Sequence, residues 1–247
     1  NAVNRRFSPD VTAYIPSNPT TPSTFAIKVN SPGLKMPQVW RSNLAADFRF
    51  PKDFVLTLEG IYTKDINAVY HRDANLVNPT GKLAGTDNRD QFPGGNANRI
   101  NSQITNAIVL DNTSEGWSYS LSAQLQRSFK FGLDFMIAYT YSQAKDITSS
   151  PGSQAASAYN GNQIVNDPNK PVLSYTSFML EHKVIGSLSY NFSIFKIAPT
   201  TLSLIYDGSA YADQFNNTRI SYAYSGNVNR DGSTGSNDLM YIPRDQN

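Results

Sequence analysis

Trp117-Ser118-Tyr119-Ser120-Leu121-Ser122-Ala123-Gln124-Leu125-Gln126-Arg127-Ser128-Phe129 is the stretch on which the fold turns. Its odd-numbered positions are apolar or aromatic except Arg127, and its even-numbered positions are all Ser or Gln. Unbroken alternation at period two is a β-strand with unlike faces, and this run is more than twice the common strand length of soluble proteins. About ten strand residues tilted near 45° already cross the hydrocarbon core of a bilayer. The strand is long enough for the wall of a membrane barrel. Arg127 lies beside a turn, where it is expected to snorkel to water.

The neighbouring segments repeat the pattern. After Lys130-Phe131-Gly132, residues Leu133, Phe135, Ile137, Tyr139 and Tyr141 alternate with Asp134, Met136, Ala138, Thr140 and Ser142. A short loop ending in Gly suits a hairpin with a left-handed bulge position. Pairing Phe129 with Leu133 then sets Leu125 opposite Ile137 and Ala123 opposite Tyr139, with both apolar sets on one face. A second hairpin runs through Trp40, Leu44, Ala46, Phe48 and Phe50, turns at Pro51-Lys52-Asp53, and returns through Phe54, Leu56, Leu58 and Tyr62. A third sets Val184, Leu188, Tyr190 and Phe192 against Leu202, Leu204 and Tyr206, through a longer turn from Ser193 to Pro199.

The aromatic residues sort by height. Phe48, Phe50, Phe54, Phe129, Phe135 and Phe192 fall near the turns, whereas Trp40, Tyr62, Trp117, Tyr119, Tyr139, Tyr141 and Tyr206 fall toward the far ends, with Leu, Ala and Ile between. Two aromatic bands around an aliphatic belt are what two membrane–water interfaces select. A soluble β-sandwich also alternates, and it is the competing reading. It requires neither strands of this length nor aromatics sorted by height. The expected fold is all-β, an antiparallel meander of long hairpins forming part of a transmembrane β-barrel with long extracellular loops. It is read as a single segment over residues 1–247.

Between the hairpins lie long connections at about residues 65–116, 144–175 and from 207 onward, rich in Asn, Gly, Ser, Pro and Asp. Such residues form turns and solvated surface. Short turns on one side and long loops on the other are the asymmetry of outer-membrane barrels. Ile66, Ala68 and Tyr70 are expected to prolong a wall strand, and residues 100–110 to supply another.

Composition removes several functions. The formal charge of +2 comes from scattered basic residues, which argues against a nucleic-acid partner. There is no cysteine, hence no disulfide, thiolate metal site or cysteine nucleophile. No apolar run reaches the length of a membrane-spanning helix. The two histidines, His71 and His182, lie in separate regions without a motif pairing either with a catalytic carboxylate. Asp47 and Glu59 are a candidate carboxylate pair on neighbouring strands, explained more simply by a polar lumen. With no phosphate loop, nucleophile elbow or zinc signature, no enzyme activity is expected. The start at Asn1-Ala2 reads as a cut end with vector-derived residues, and the end at Asp245-Gln246-Asn247 is not an apolar strand. The expectation is an internal piece of a longer exported protein.

Two groups of residues are candidate sites. Asn227-Val228-Asn229-Arg230-Asp231-Gly232, with Asp238 at the twelfth position, follows the spacing of a calcium loop, with oxygens at positions one, three, five and twelve and Gly at six. Asn at the first position and Asp at the last depart from that pattern, so Ca2+ at Asn227, Asn229, Asp231 and Asp238 is expected to bind weakly. The same residues also read as a solvated Asn/Asp/Gly turn. Tyr159, Tyr211, Tyr222 and Tyr224 are candidates for stacking on a ligand, with ordinary loop packing as the alternative.

The block Met36-Pro37-Gln38-Val39-Trp40-Arg41-Ser42-Asn43-Leu44-Ala45, the block Leu58-Glu59-Gly60-Ile61-Tyr62-Thr63-Lys64-Asp65-Ile66-Asn67, and the late segments Gly226 to Gly232 and Asn237 to Pro243 resemble the barrel domain of TonB-dependent outer-membrane receptors, in the Oar-like group close to SusC-type transporters. The resemblance implies part of an importer barrel of about 22 strands in a Gram-negative outer membrane. It also implies outer-membrane lipid, an inner-membrane energy-coupling protein reached through an N-terminal part missing here, and a surface lipoprotein as partners. Oligosaccharide, peptide and siderophore all stay open as ligands. The other functional class is a soluble β-sandwich that binds carbohydrate or acts as an adhesin through its loop tyrosines.

Overall fold

The computed structural model describes residues 7–10, 12–15, 24–149, 152–195, 197–209, 222–233 and 237–243. Strand β1 (Phe25–Asn30) precedes β2 (Gln38–Phe50) and β3 (Phe54–Asp73); the short β4 (Gly81–Lys82) and β5 (Asp90–Gln91) follow. Then come β6 (Ile104–Thr113), β7 (Trp117–Ser128), β8 (Leu133–Asp146), helix α1 (Ala155–Gly161), β9 (Ser174–Tyr175), β10 (His182–Ile194) and β11 (Ala198–Ser209). The wall is an open antiparallel sheet in the order β2-β3-β7-β8-β10-β11.

The alternation in sequence becomes register. Leu125 pairs with Ile137 and Ala123 with Tyr139, as the period-two reading requires. One row across the sheet reads Phe48, Leu56, Leu125, Ile137, Gly186 and Tyr206; the next row along the strands reads Asp47, Thr57, Gln124 and Ala138. The two rows point to opposite faces because successive strand residues do. On the polar face, side chains bond across strands: Thr57 Oγ1 donates to Asp47 Oδ1 at 2.6 Å, Asn43 Nδ2 to Glu59 Oε1 at 2.8 Å, and Ser122 Oγ meets Thr140 Oγ1 at 2.9 Å. Asp47 and Glu59 therefore serve separate ladders instead of forming a carboxylate pair. The other face is apolar and uncovered, with Leu44 80%, Leu202 70% and Leu204 69% exposed. A sandwich would bury this face beneath a second sheet, and none covers it among the described residues.

The turns between wall strands are tight. At 130–132 Phe129 N donates to Leu133 O at 2.7 Å and Gly132 takes φ +95°; a side chain at Gly132 would also strike Asn191 O, 2.4 Å from its Cβ position. Pro51–Asp53 closes the β2–β3 hairpin with Lys52 and Asp53 both at positive φ, the backbone a twisted hairpin favours despite the absence of Gly. β10 and β11 stay paired as far as Ile194 and Ala198, further toward the turn than the alternation suggested.

Aromatic contacts mark both ends of the apolar face. At one end Trp40 meets Tyr62 edge-on at 6.1 Å, Trp117 stacks on Tyr119 at 5.9 Å, and Tyr139 OH lies 2.7 Å from His182 Nδ1. At the turn end the Arg127 guanidinium lies 4.6 Å from the Phe54 ring and 4.0 Å from Phe129. Arg127, half-exposed beside the turn, is thus flanked by two rings and gains cation–π attraction from both. Tyr206, expected at the far end, falls in the row of Leu125 and Ile137, where neighbouring Gly186 leaves room beside it.

β3 is the longest element. Its first half pairs with β7 over Val55 to Lys64, and its last part pairs with β6 over Ala68 to Asp73. β6 and β7 thus run in succession along one edge of β3, interrupted at 114–116, where Asp65 N donates to Gly116 O at 2.9 Å. A side chain at Gly116 would collide with the Asp65 carboxylate, 1.9 Å from its Cβ position. The 20 residues of β3 span roughly 65 Å at about 3.3 Å each, well beyond what a bilayer core needs. The stretch expected as a loop over residues 65–116 therefore holds the upper part of β3, the β4–β5 pair and β6, while the strand expected at 100–110 lies at Ile104–Thr113. β1 joins the outer edge of β6 in parallel.

Candidate functional site

Beyond the wall the long connections fold together, and the molecule's core lies there. Among the described residues the buried apolar ones are Leu76, Phe92, Ile108, Val109, Ala158, Tyr159, Ile164 and Met179, and none belongs to the part of the sheet that alternates. Buried polar residues bind the segments. Asp73 Oδ1 accepts from Asn75 N and Ala107 N, both at 2.8 Å. The Asn169 side chain accepts from Asp73 N at 2.7 Å and donates to Asp73 O at 2.9 Å, copying the two bonds of a strand neighbour. Asn75 copies the same pattern with Asn101, accepting from its N at 2.8 Å and donating to its O at 3.1 Å. Asn and Asp in these stretches act as internal ties, where the sequence suggested solvated turns.

Arg89 is the centre of this layer. It is 1% exposed; its Nε donates to Asp87 Oδ1 at 2.8 Å, Nη2 donates to the Leu239 carbonyl, Nη1 lies 3.7 Å from Asp238 Oδ1, and the guanidinium sits 5.1 Å from the Tyr224 ring. A cation removed from water in this way needs paired carboxylates and hydrogen bonds to offset its desolvation. Backbone bonds continue the join: Phe92 N donates to Asn229 O, Ile164 N to Asn237 O, Leu239 N to Ile164 O, and Tyr224 N to Asp238 O. Segments 87–98, 158–169, 222–233 and 237–239 form one unit.

The 227–238 loop is folded on itself within that unit. Asn227 Oδ1 and Asn229 Oδ1 both accept from Asp231 N at 3.0 Å, Asp231 Oδ1 accepts from Ser233 N at 2.7 Å, and Asp238 Oδ2 accepts from Val228 N at 2.7 Å. The spacing read from the sequence thus brings Asn227, Asn229, Asp231 and Asp238 together, with Gly232 at φ +94° making the bend. Burial raises the Asp231 carboxyl above the usual range. Among the described residues, no group of three or more His, Asp or Glu side chains is placed to hold a metal ion.

The four tyrosines part company. Tyr159 is buried, with its hydroxyl donating to Asn169 Oδ1 at 3.4 Å and raised in pKa chiefly by burial. Tyr224 lies against Arg89, and Tyr222 is 61% exposed. Tyr211 lies outside the described residues. Arg89 and Asn98 were not candidates from the sequence. A signal was present in the bare Asn-Arg-Asp run at 88–90, yet its partner at Leu239 is 150 positions away.

A wall with one lipid-like face, one polar face, aromatic ends and a packed loop layer is matched by a family model described as an outer membrane beta barrel domain, over residues 1–234. The chain belongs to this family. Searches of curated proteins and of solved structures give no match. The outer-membrane barrel domain is accordingly embedded in the outer membrane through its strands. Its uncovered apolar face meets lipid.

Proposed function

We propose that this barrel domain is part of a TonB-dependent importer of the Oar-like and SusC-like group, taking up an oligosaccharide, a peptide or a siderophore. The observation that carries the reading is the asymmetry of the two ends. Three tight turns close one end, while at the other the long connections gather into a single packed layer tied through Arg89. Loops of this length are kept when they serve function, and an ordered outer layer can close over a captured ligand. The polar inner face, laddered by Thr57, Asp47, Asn43 and Glu59, would line the route inward. In this reading the protein carries out no covalent chemistry, and its partners are an energy-coupling protein of the inner membrane and a lipoprotein at the surface. The test is uptake of labelled oligosaccharides, peptides and ferric siderophores by cells with and without the gene. Uptake that needs the gene and stops with a protonophore is expected. Gene-dependent flux that persists in de-energised cells would make the protein a passive pore instead.

A further inference from the structure

Between the 94–99 turn and the 227–232 turn lies an open polar cleft of about 440 Å3, within the range of small-molecule sites. Arg99 and Arg230 both line it, and no Asp or Glu does. Elsewhere in the loop layer cations meet aspartates: Arg72 with Asp111, Lys82 with Asp90, Arg89 with Asp87, Lys170 with Asp167. Among the described residues Arg99 and Arg230 have no such ion pair. Arg99 meets a neutral partner instead, its Nη1 donating to Asn96 Oδ1 at 3.1 Å.

The cleft is built rather than incidental. Asn98, 5% exposed, donates from Nδ2 to the Arg230 carbonyl at 3.2 Å and so fixes one turn against the other. Arg230 takes φ +64°, uncommon for a side chain that is not Gly, and stands exposed between the buried Asn229 and Asp231. The turn is held by the Asp231 amide, which donates to both Asn227 and Asn229. Gly232 has no side chain to fill the space, and one placed there would come 2.8 Å from Asn98 Nδ2.

We infer that this cleft binds a small organic anion whose carboxylates are shared between the Arg99 and Arg230 guanidiniums. Guanidinium forks match carboxylates bidentately, and a site with two of them and no acid repels cations and leaves neutral ligands underpaid in hydrogen bonds. The inference rests on reading the loop layer as the ligand-capturing side; it does not depend on transport.

The test is titration calorimetry on the full chain in detergent at low ionic strength, with succinate and its uncharged analogue succinamide as probes. Succinate is expected to bind at millimolar concentration and succinamide not to. Arg99→Gln and Arg230→Gln are each expected to weaken succinate about tenfold, the scale of one charged hydrogen bond, with unchanged melting. Equal binding of succinate and succinamide, absence of succinate heat in the folded parent chain, or unchanged affinity in both variants would overturn the site. Uptake by energised cells separates this from the importer reading: uptake without succinate binding sinks the cleft alone, and succinate binding in a protein that imports nothing sinks the importer alone.

Discussion

Arg89 ties several segments of the loop layer at once, since its guanidinium reaches Asp87, Asp238, Leu239 and the Tyr224 ring from a site 1% exposed. Arg89→Met leaves two aspartates facing a missing cation, and removing one partner of a buried pair costs about 3–5 kcal/mol. Thermal melting should fall accordingly, and Asp238→Asn added to Arg89→Met should recover part of the loss. Because Arg89 already supplies a cation beside Asp238, chelation with EDTA is expected to leave the melting curve unchanged. A large EDTA shift would mean that a metal holds the 227–238 loop. His71, on the part of β3 beyond the wall, gives a second prediction. Its Nδ1 is buried without a partner, and burial lowers its pKa. The unfolded chain then takes up the proton first, so stability falls as pH drops from about 6.5, the unperturbed histidine value, toward the lower folded value. Melting measured across that window should lose its slope at this position in His71→Phe; a parent curve that is flat there would contradict the prediction.

At the scale of elements the wall strands make the sharpest prediction. Leu44, Leu56, Leu121, Leu125 and Ile137 face lipid, and Asn43, Thr57, Ser120 and Gln124 face the interior. Single cysteines at these sites in membranes should react with a water-soluble thiol reagent in the second set and resist it in the first. Leu125→Arg should cost about 2–4 kcal/mol, as charges near the middle of the lipid face do. These hairpins were legible in the sequence because a period of two is a local signal, and Leu125 opposite Ile137 follows from the turn alone. The upper part of β3 was half legible, through Ile66, Ala68 and Tyr70. The loop layer was not. Asn75, Asn98 and Asn169 carry the composition of solvated turns, and what makes them internal ties is a partner 26, 132 or 96 positions distant. No periodicity encodes such a partner. The spacing from Asn227 to Asp238 did reveal a closed loop, while giving no hint that Arg89 stands beside it.

Among the described residues the wall is an open sheet with β2 at one edge and β11 at the other. In the importer proposed above a plugged lumen takes about 22 strands, more than this wall supplies, and unpaired edges in lipid leave backbone groups without partners. The chain alone, reconstituted in liposomes, is therefore expected to give no solute flux or conductance, and in detergent to cover its edges by self-association. Steady conductance from the isolated chain would show that it closes by itself. The loop layer has a further consequence for exchange between homologues. Segments far apart in the gene share one set of buried contacts, so transplanting a single outer loop would separate Arg89 from Leu239, or Asn98 from Arg230, and leave both donor and recipient residues stranded. If these loops capture a ligand as proposed, specificity is inherited as a block: the connections after β3, β8 and β11 must travel together, and a chimera that moves one of them changes a fold before it changes a ligand.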